Sequence, residues 1–379
     1  MNELDLSHNE LTTVQNLNSL PALSTLNLSF NQLTSIGISA LMPNLRALKL
    51  SNNHLHVLDT AMLPSLALLY ADRNWLPTIT GLEQCHSLEI LSAREQVMPE
   101  KGITRYFDID LGLVRDIRKV FLSSNKLSTQ TVSPSVPLLS LQLFDIASCK
   151  LENLPTEFAL NFPNVKALNL NFNALTGVTE LAGMNCLSRL TVAGNCITRM
   201  RRLCQALSRI GRTSKNSVCS LQKVDLRGNP LTVRFYPPVV AGSGRDESKK
   251  LHAKEAERPR GKADLSAALA NIEHGDDNIA HPALWGEDAD KDKEIEINDP
   301  YTLPPADLQA DVKYFSHLDE PTRLRRKVLE LMIYAGTGGS IKYLDGLEFR
   351  PTLEEGSDMD HAWTRLEQLG VLRKKAITA

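Results

Sequence analysis

VKALNLNFNAL, residues 165–175, decides the fold. Counting Val165 as position 0, apolar side chains stand at 0, 3, 5 and 10 (Val165, Leu168, Leu170, Leu175), and Asn173 stands at 8. The pattern recurs upstream as MNELDLSHNEL from Met1, LSTLNLSFNQL from Leu23, LRALKLSNNHL from Leu45, LALLYADRNWL from Leu66, LEILSAREQVM from Leu88, IRKVFLSSNKL from Ile117 and LQLFDIASCKL from Leu141. Downstream it returns as LSRLTVAGNCI from Leu187 and LQKVDLRGNPL from Leu221. Successive starts are 22, 22, 21, 22, 29, 24, 24, 22 and 34 residues apart.

This period and pattern are the signature of leucine-rich repeats. The fold class that follows is an α/β solenoid of about ten 22–24-residue repeats. Each repeat gives one short strand to a parallel sheet, and ten strands about 4.8 Å apart span roughly 43 Å. Positions 0, 3, 5 and 10 turn inward, and the amide at position 8 bonds backbone groups that the bend would otherwise leave unpaired. Cys149 and Gln96 replace Asn at that position; Gln predicts a local irregularity. Apolar residues on the connections recur about every third place, as in Ile79, Leu82 and Cys85, which suits short 3₁₀ turns. Within RMRRLCQALSRIGR, Met200, Leu203, Leu207 and Ile210 have helical spacing.

The array runs over 1–238, and composition then changes. Residues 239–298 read as a charged linker, with eleven acids against two lysines between Asp264 and Asp299. Order returns over 299–350, read as a C-terminal cap. There Asp319 is the expected N-cap of a helix ending at Gly336, and Ile341 and Leu344 fill the repeat's own 0 and 3 positions. Solenoids need such caps because the end repeat would otherwise show its core to water. A terminal helix in 351–379 is expected to dock through Trp363, Leu366 and Leu369. At the other end, the first repeat would leave its strand edge unpaired, so the chain reads as a fragment of a longer protein.

Lys plus Arg is 42 and Asp plus Glu 44, a net charge of −2 that disfavours nucleic-acid binding by electrostatics. No run of 18 apolar residues suggests a membrane helix, and no signal peptide is visible. Six scattered cysteines without a CxxC pair point to a reducing compartment. No constellation for catalysis, cofactor or metal stands out. DADKDKEIEIND lacks the Gly and Glu of an EF-hand loop, AGTGGSIK is a helix end rather than a phosphate loop, and His54 and His56 have no ligand set around them. Ser133-Pro134 is a lone proline-directed phosphorylation candidate in a connection.

Candidate binding residues lie at positions 2, 4, 6, 7 and 9, taken to face the concave side: Phe30, Leu68, Tyr70, Asp72, Arg73, Trp75, Ile90, Arg94, Val97, Phe121, Leu143 and Phe172. Solvent-facing aromatics there would be an interface patch. The competing reading is that the chain folds back and covers them. A second candidate, for an acidic partner, is Arg199, Arg201, Arg202, Arg209, Arg212 and Lys215; its plainer reading is a solvated helix face.

The array, NPLTVRFYPP, DPYTLPPAD, TRLRRKVLELMIYAG and KYLDGLEF together resemble the C-terminal repeat region of fungal scaffolds of the septation-initiation and mitotic-exit network, distantly related to animal centriolin. The resemblance implies a non-enzymatic scaffold at the spindle pole body. Its partners would be a small GTPase with its GTPase-activating complex, kinase–coactivator pairs and a coiled-coil anchor. The long N-terminal half usual in that family is not in this sequence, which bears on kinase recruitment. The alternative reading is an SDS22-like regulator of protein phosphatase 1, which shares the 22-residue repeat.

Overall fold

The computed structural model describes residues 2–96, 106–212, 219–238, 301–349 and 356–369. Val97, Lys215, the linker at 239–298 and the ends of the terminal segment lie outside the described residues.

Ten three-residue strands follow the repeats: β1 Glu3–Asp5, β2 Thr25–Asn27, β3 Ala47–Lys49, β4 Leu68–Tyr70, β5 Ile90–Ser92, β6 Lys119–Phe121, β7 Leu143–Asp145, β8 Ala167–Asn169, β9 Arg189–Thr191 and β10 Lys223–Asp225. Each pairs in parallel with the next, position for position, so equivalent side chains form rows across the sheet. The row at position 3, from Leu26 to Val224, is buried throughout, each of these side chains contributing roughly 1.5–3 kcal/mol.

The position 8 asparagines form a second ladder. Asn53 donates to the Leu28 and Leu50 carbonyls at 2.9 and 3.0 Å and accepts from the Leu33 N–H at 3.0 Å, tying its own repeat to the one before. Gln96 does the same work: it donates to the Ala71 and Arg94 carbonyls and accepts from the Leu76 N–H, so the expected irregularity is absent at this rung. Cys149 reaches the Leu122 carbonyl with its thiol at 3.3 Å.

Position 7 carries a feature the sequence did not announce. His8, Phe30, Asn52, Arg73, Glu95, Ser124, Ser148, Phe172, Gly194 and Gly228 all have φ between +52° and +70°. This left-handed residue turns the chain at the end of each strand, and it is costly for side chains as bulky as Phe. Phe172 lies over Gly194, where a Cβ would meet its ring at 2.7 Å.

The connections are short 3₁₀ turns at Leu17–Ser19, Leu82–Gln84, Leu111–Leu113 and Thr179–Leu181, with two single-turn helices, α1 Thr129–Val132 and α2 Phe158–Asn161. The longer α3, Met200–Leu207, buries Leu203 and Leu207, while Met200 is half-buried.

Past the array come α4 Leu308–His317, α5 Glu320–Thr337, the hairpin β11 Tyr343–Leu344 and β12 Leu347–Glu348, and α6 Gly356–Gln368. Strand β11 adds in parallel to β10, with Ile341 and Leu344 buried in the 0 and 3 places. Asp319 caps α5 by accepting from the Thr322 N–H. The helix passes Gly336 and ends at Gly338, whose φ of +65° and N–H bond to the Ala335 carbonyl, with Gly339 N–H to Tyr334, make a Schellman closure. Helix α6 packs Ala362 and Leu366 on Val328 of α5, but Leu369 faces outward at 38% exposure. Among the described residues, no helix is long and apolar enough to cross a membrane.

Candidate functional site

Positions 2, 4 and 6 of each strand make the floor of the concave face. Over the later repeats that floor is filled by the chain itself. Tyr301, only 1% exposed, lies on it, and its carbonyl accepts from the side-chain amides of Asn169 and Asn171 at 3.1 and 3.0 Å. Its hydroxyl donates to Glu95 at 2.5 Å. Farther on, the Pro304 carbonyl accepts from Arg227 at 2.8 Å, and the Ala306 N–H reaches the Gly346 carbonyl. Residues 301–306 thus form a clasp running from the fifth repeat to the terminal hairpin. A Cβ on Gly346 (φ +81°) would come within 2.8 Å of the Ala306 nitrogen, so the clasp's end needs glycine there. Pro304 and Pro305 suit the clasp because they hold the chain extended.

Beneath Tyr301 is a buried charge network. Arg94 donates to Asp145 at 2.7 Å, with both side chains at most 5% exposed. Its guanidinium lies between the rings of Phe121 and Tyr301, 4.9 and 5.2 Å from their centroids. Asp72 accepts from the Ser92 hydroxyl at 2.5 Å and from the Arg94 N–H at 2.7 Å, while burial pushes its carboxyl up. Glu95 takes Tyr301 on one oxygen and Arg73 on the other, at 3.0 Å. Burial, helped by Asp72, pushes the Tyr70 phenol up to about 12. Burial, with Glu95 nearby, pushes Tyr301 up as well.

The solvent-facing aromatic patch is therefore corrected. Tyr70, Arg94, Phe121 and Leu143 are all buried (2, 4, 0 and 6% exposed), and Arg94 and Phe121 lie in the network under the clasp. Phe30, Arg73 and Phe172 sit at the left-handed bend beyond the strands rather than on the floor. Leu68 and Ile90 are half-buried register partners on β4 and β5, and Asp72 is half-buried. The half-buried candidates are Phe30, Arg73 and Trp75 along the bend of the early repeats, Leu68, Asp72 and Ile90 on the early floor, and Phe172 at the bend of the eighth repeat. Phe30 stacks on His8 at 4.2 Å between centroids. Trp75 is half-buried between His54, stacked at 4.4 Å, and His56, tilted at 5.0 Å, with Val57 beside His56 in sequence 63% exposed. The two histidines are thus aromatic packing partners.

The arginine cluster is also divided. Arg212 donates to the Gly336 carbonyl at 3.2 Å near the end of α5, and the Arg201 guanidinium lies 5.0 Å from the Trp363 ring centroid. Both help dock the terminal helices, so they are not part of one free anion patch. Arg199, Arg202 and Arg209 are exposed.

Sequence reasoning missed Arg326. It donates to both oxygens of Asp311 (2.9 and 2.7 Å), to the Phe235 carbonyl (3.0 Å) and to Glu330 (2.8 Å), and packs on the Tyr236 ring. This one side chain joins α4, α5 and the end of the array. No local signal separates it from Arg323 and Arg325, which are exposed on the same helix.

Residues 1–41 match a family model described as leucine-rich repeats, in two copies. The septation initiation network scaffold protein cdc11 of Schizosaccharomyces pombe is 37% identical over 239 residues, which cover 63% of this chain and 21% of that protein. The chain thus spans about a fifth of that relative's length. Similar solved structures include the TLR13–ssRNA13 complex (21% identity, TM-score 0.48, covering 60% of this chain and 36% of that one). The LRIM1 leucine-rich repeat domain is another (20% identity, TM-score 0.42, covering 60% and 67%).

Proposed function

We propose that this chain is the partner-binding repeat region of a non-enzymatic scaffold in septation-initiation signalling. The observation that carries the reading is the 37% identity, over 239 residues, to a scaffold of that network. That relative's role favours this reading over the phosphatase-regulator alternative. On this account the protein works at the spindle pole body. It gathers a small GTPase, its GTPase-activating complex and kinase–coactivator pairs, and is held by a pole anchor protein.

The clasp supports a particular division of labour. With the floor of the later repeats covered, partners bind the early repeats through the bend-side aromatics Phe30 and Trp75. Tagged protein purified from dividing cells should carry the network's GTPase regulators, and the tag should mark the pole. Diffuse signal and no regulators would count against the scaffold role. The double variant Phe30→Ala/Trp75→Ala should lose partner binding by roughly tenfold or more while the thermal melt keeps its shape. Unchanged binding would move the interface elsewhere. Capture of the phosphatase catalytic subunit instead would favour the alternative.

A further inference from the structure

The groups that hold the clasp are set in place by the array itself. The Asn171 side-chain oxygen accepts from the Ala193 N–H at 2.8 Å, and that of Asn169 accepts from the Asn171 N–H at 3.1 Å and the Thr191 hydroxyl at 2.9 Å. Both amides are thereby turned with their NH2 groups toward the floor, where they meet the Tyr301 carbonyl. Arg227 is fixed by Asp225 at 2.6 Å and gives its remaining edge to the Pro304 carbonyl. Arg94 is fixed by Asp145, and its guanidinium face meets the Tyr301 ring. Glu95 is paired with Arg73 and takes the Tyr301 hydroxyl on its other oxygen. The floor thus recognises two carbonyls three residues apart, one ring and one hydroxyl, all with groups preorganised by bonds outside the clasp.

These bonds use side chains of the array rather than a backbone ladder, so another segment can take them without rebuilding the sheet. Pro304 and Pro305 are exposed on the outer side of the clasp. The cap is secured separately, by β11 on β10 and by Arg326, which ties α4 and α5 to the Phe235 carbonyl. Residues 301–305 can therefore lift while the cap stays. Leu303 and Pro304 each precede a proline, which biases both to an extended or polyproline II backbone. Grooves that take such preformed segments are a recurring mode of peptide recognition, because little chain entropy is lost on binding. Tethering gives the clasp an effective concentration of about the millimolar range, which a free peptide must overcome.

We propose that the floor of the later repeats is a peptide-binding groove that the clasp fills in cis, and that it accepts from a partner protein an extended segment with tyrosine followed three residues later by proline. This goes beyond the scaffold reading, since it gives the chain a second binding surface whatever network the partner belongs to. The clasp then sets a threshold: a partner segment gains the groove only by displacing it.

An N-acetylated, C-terminally labelled peptide YTLPPAD, residues 301–307, tests this on the full chain by fluorescence anisotropy. The chain with 301–306 replaced by a Gly/Ser stretch should bind the peptide at least tenfold more tightly than the wild type. Tyr301→Ala, which leaves the rest of the clasp and the cap unchanged, should also bind more tightly than the wild type, so the comparison survives if the longer replacement fails to fold. In the emptied groove, Glu95→Ala in the chain and Tyr301→Phe in the peptide should each weaken binding at least fivefold. Together they should weaken it no more than either alone, because both delete the same hydroxyl–carboxylate bond. Equal binding to the wild type and both variants, additive losses, or a scrambled peptide binding as tightly as YTLPPAD would overturn the proposal. So would a wild-type dimer in sedimentation that the Gly/Ser replacement abolishes, since the groove would then belong to the clasp of a second copy.

Discussion

Removing the Tyr301 side chain is the most informative perturbation of the clasp. The ring is 1% exposed, lies against the Arg94 guanidinium, and its hydroxyl donates to the Glu95 carboxylate. Full burial of a large aromatic is lost in Tyr301→Ala, which typically costs about 3–5 kcal/mol. Tyr301→Phe keeps the ring and loses one bond to a charged acceptor, about 1.5–3 kcal/mol. The low end applies because Arg73 still pairs with Glu95, whose side chain is 18% exposed and can recruit water. A ceiling also applies. If the clasp lifts off, water reaches Asn169 and Asn171, so the loss cannot exceed the free energy of opening residues 301–306. Tyr301→Ala and replacement of all of 301–306 by a Gly/Ser stretch should therefore destabilise to the same extent. Hydrogen exchange of peptides spanning 301–306 and β6–β8, with urea unfolding of the same samples, measures both quantities. Exchange at 301–306 unchanged in Tyr301→Ala, with a urea loss under about 0.5 kcal/mol, would refute the reasoning.

Arg326→Ala strands Asp311, itself 5% exposed, and should cost about 3–5 kcal/mol in thermal or urea unfolding. Arg326→Lys should restore little, since an ammonium cannot meet Asp311, Glu330 and the Phe235 carbonyl together; full recovery would contradict this. Asn53→Ala leaves the buried Leu33 N–H without its acceptor, while the Leu28 and Leu50 carbonyls keep the amides of Asn31 and Asn74, and should cost about 1–3 kcal/mol, whereas Asn9→Ala, exposed on the first repeat, should stay within about 0.5 kcal/mol by urea midpoint. Tyr70 has its folded pKa raised from 10.0 to about 12, and Tyr301 and Tyr236 are raised too. Below pH 10 both folded and unfolded states hold these protons, so stability is unaffected. From pH 10 to 12 the unfolded state releases them first, so stability falls as pH rises. Phenolate absorbance should show these tyrosines titrating only with unfolding, and early titration of all seven would contradict the burial.

The repeat was legible because its signal is local and redundant: positions 0, 3, 5, 8 and 10 must be filled alike in every copy for strands to stack. The clasp was not, because its bonds join residues far apart in sequence, 206 between Tyr301 and Glu95 and 132 between Tyr301 and Asn169. Asn169, Asn171 and Arg227 look like ordinary polar floor residues until a second segment claims them. The one cue was their concentration in the later repeats together with an extended, proline-containing YTLPPAD nearby. The left-handed bend was hidden for a different reason: position 7 tolerates His, Phe, Arg, Glu, Ser and Gly alike, so backbone geometry leaves no mark on residue type. Arg326 and Arg323 look alike in sequence, and only the approach of α4 makes one of them structural.

The occupied concave face is tested most directly by hydroxyl-radical footprinting of the full chain. Tyr301, Tyr70 and Phe121 should label as slowly as the core residues Phe144 and Phe158, while Tyr106 and Tyr343, 53 and 41% exposed, label fast. Labelling of Tyr301 and Phe121 at the rate of Tyr106 would mean that the floor is open and that the clasp does not hold.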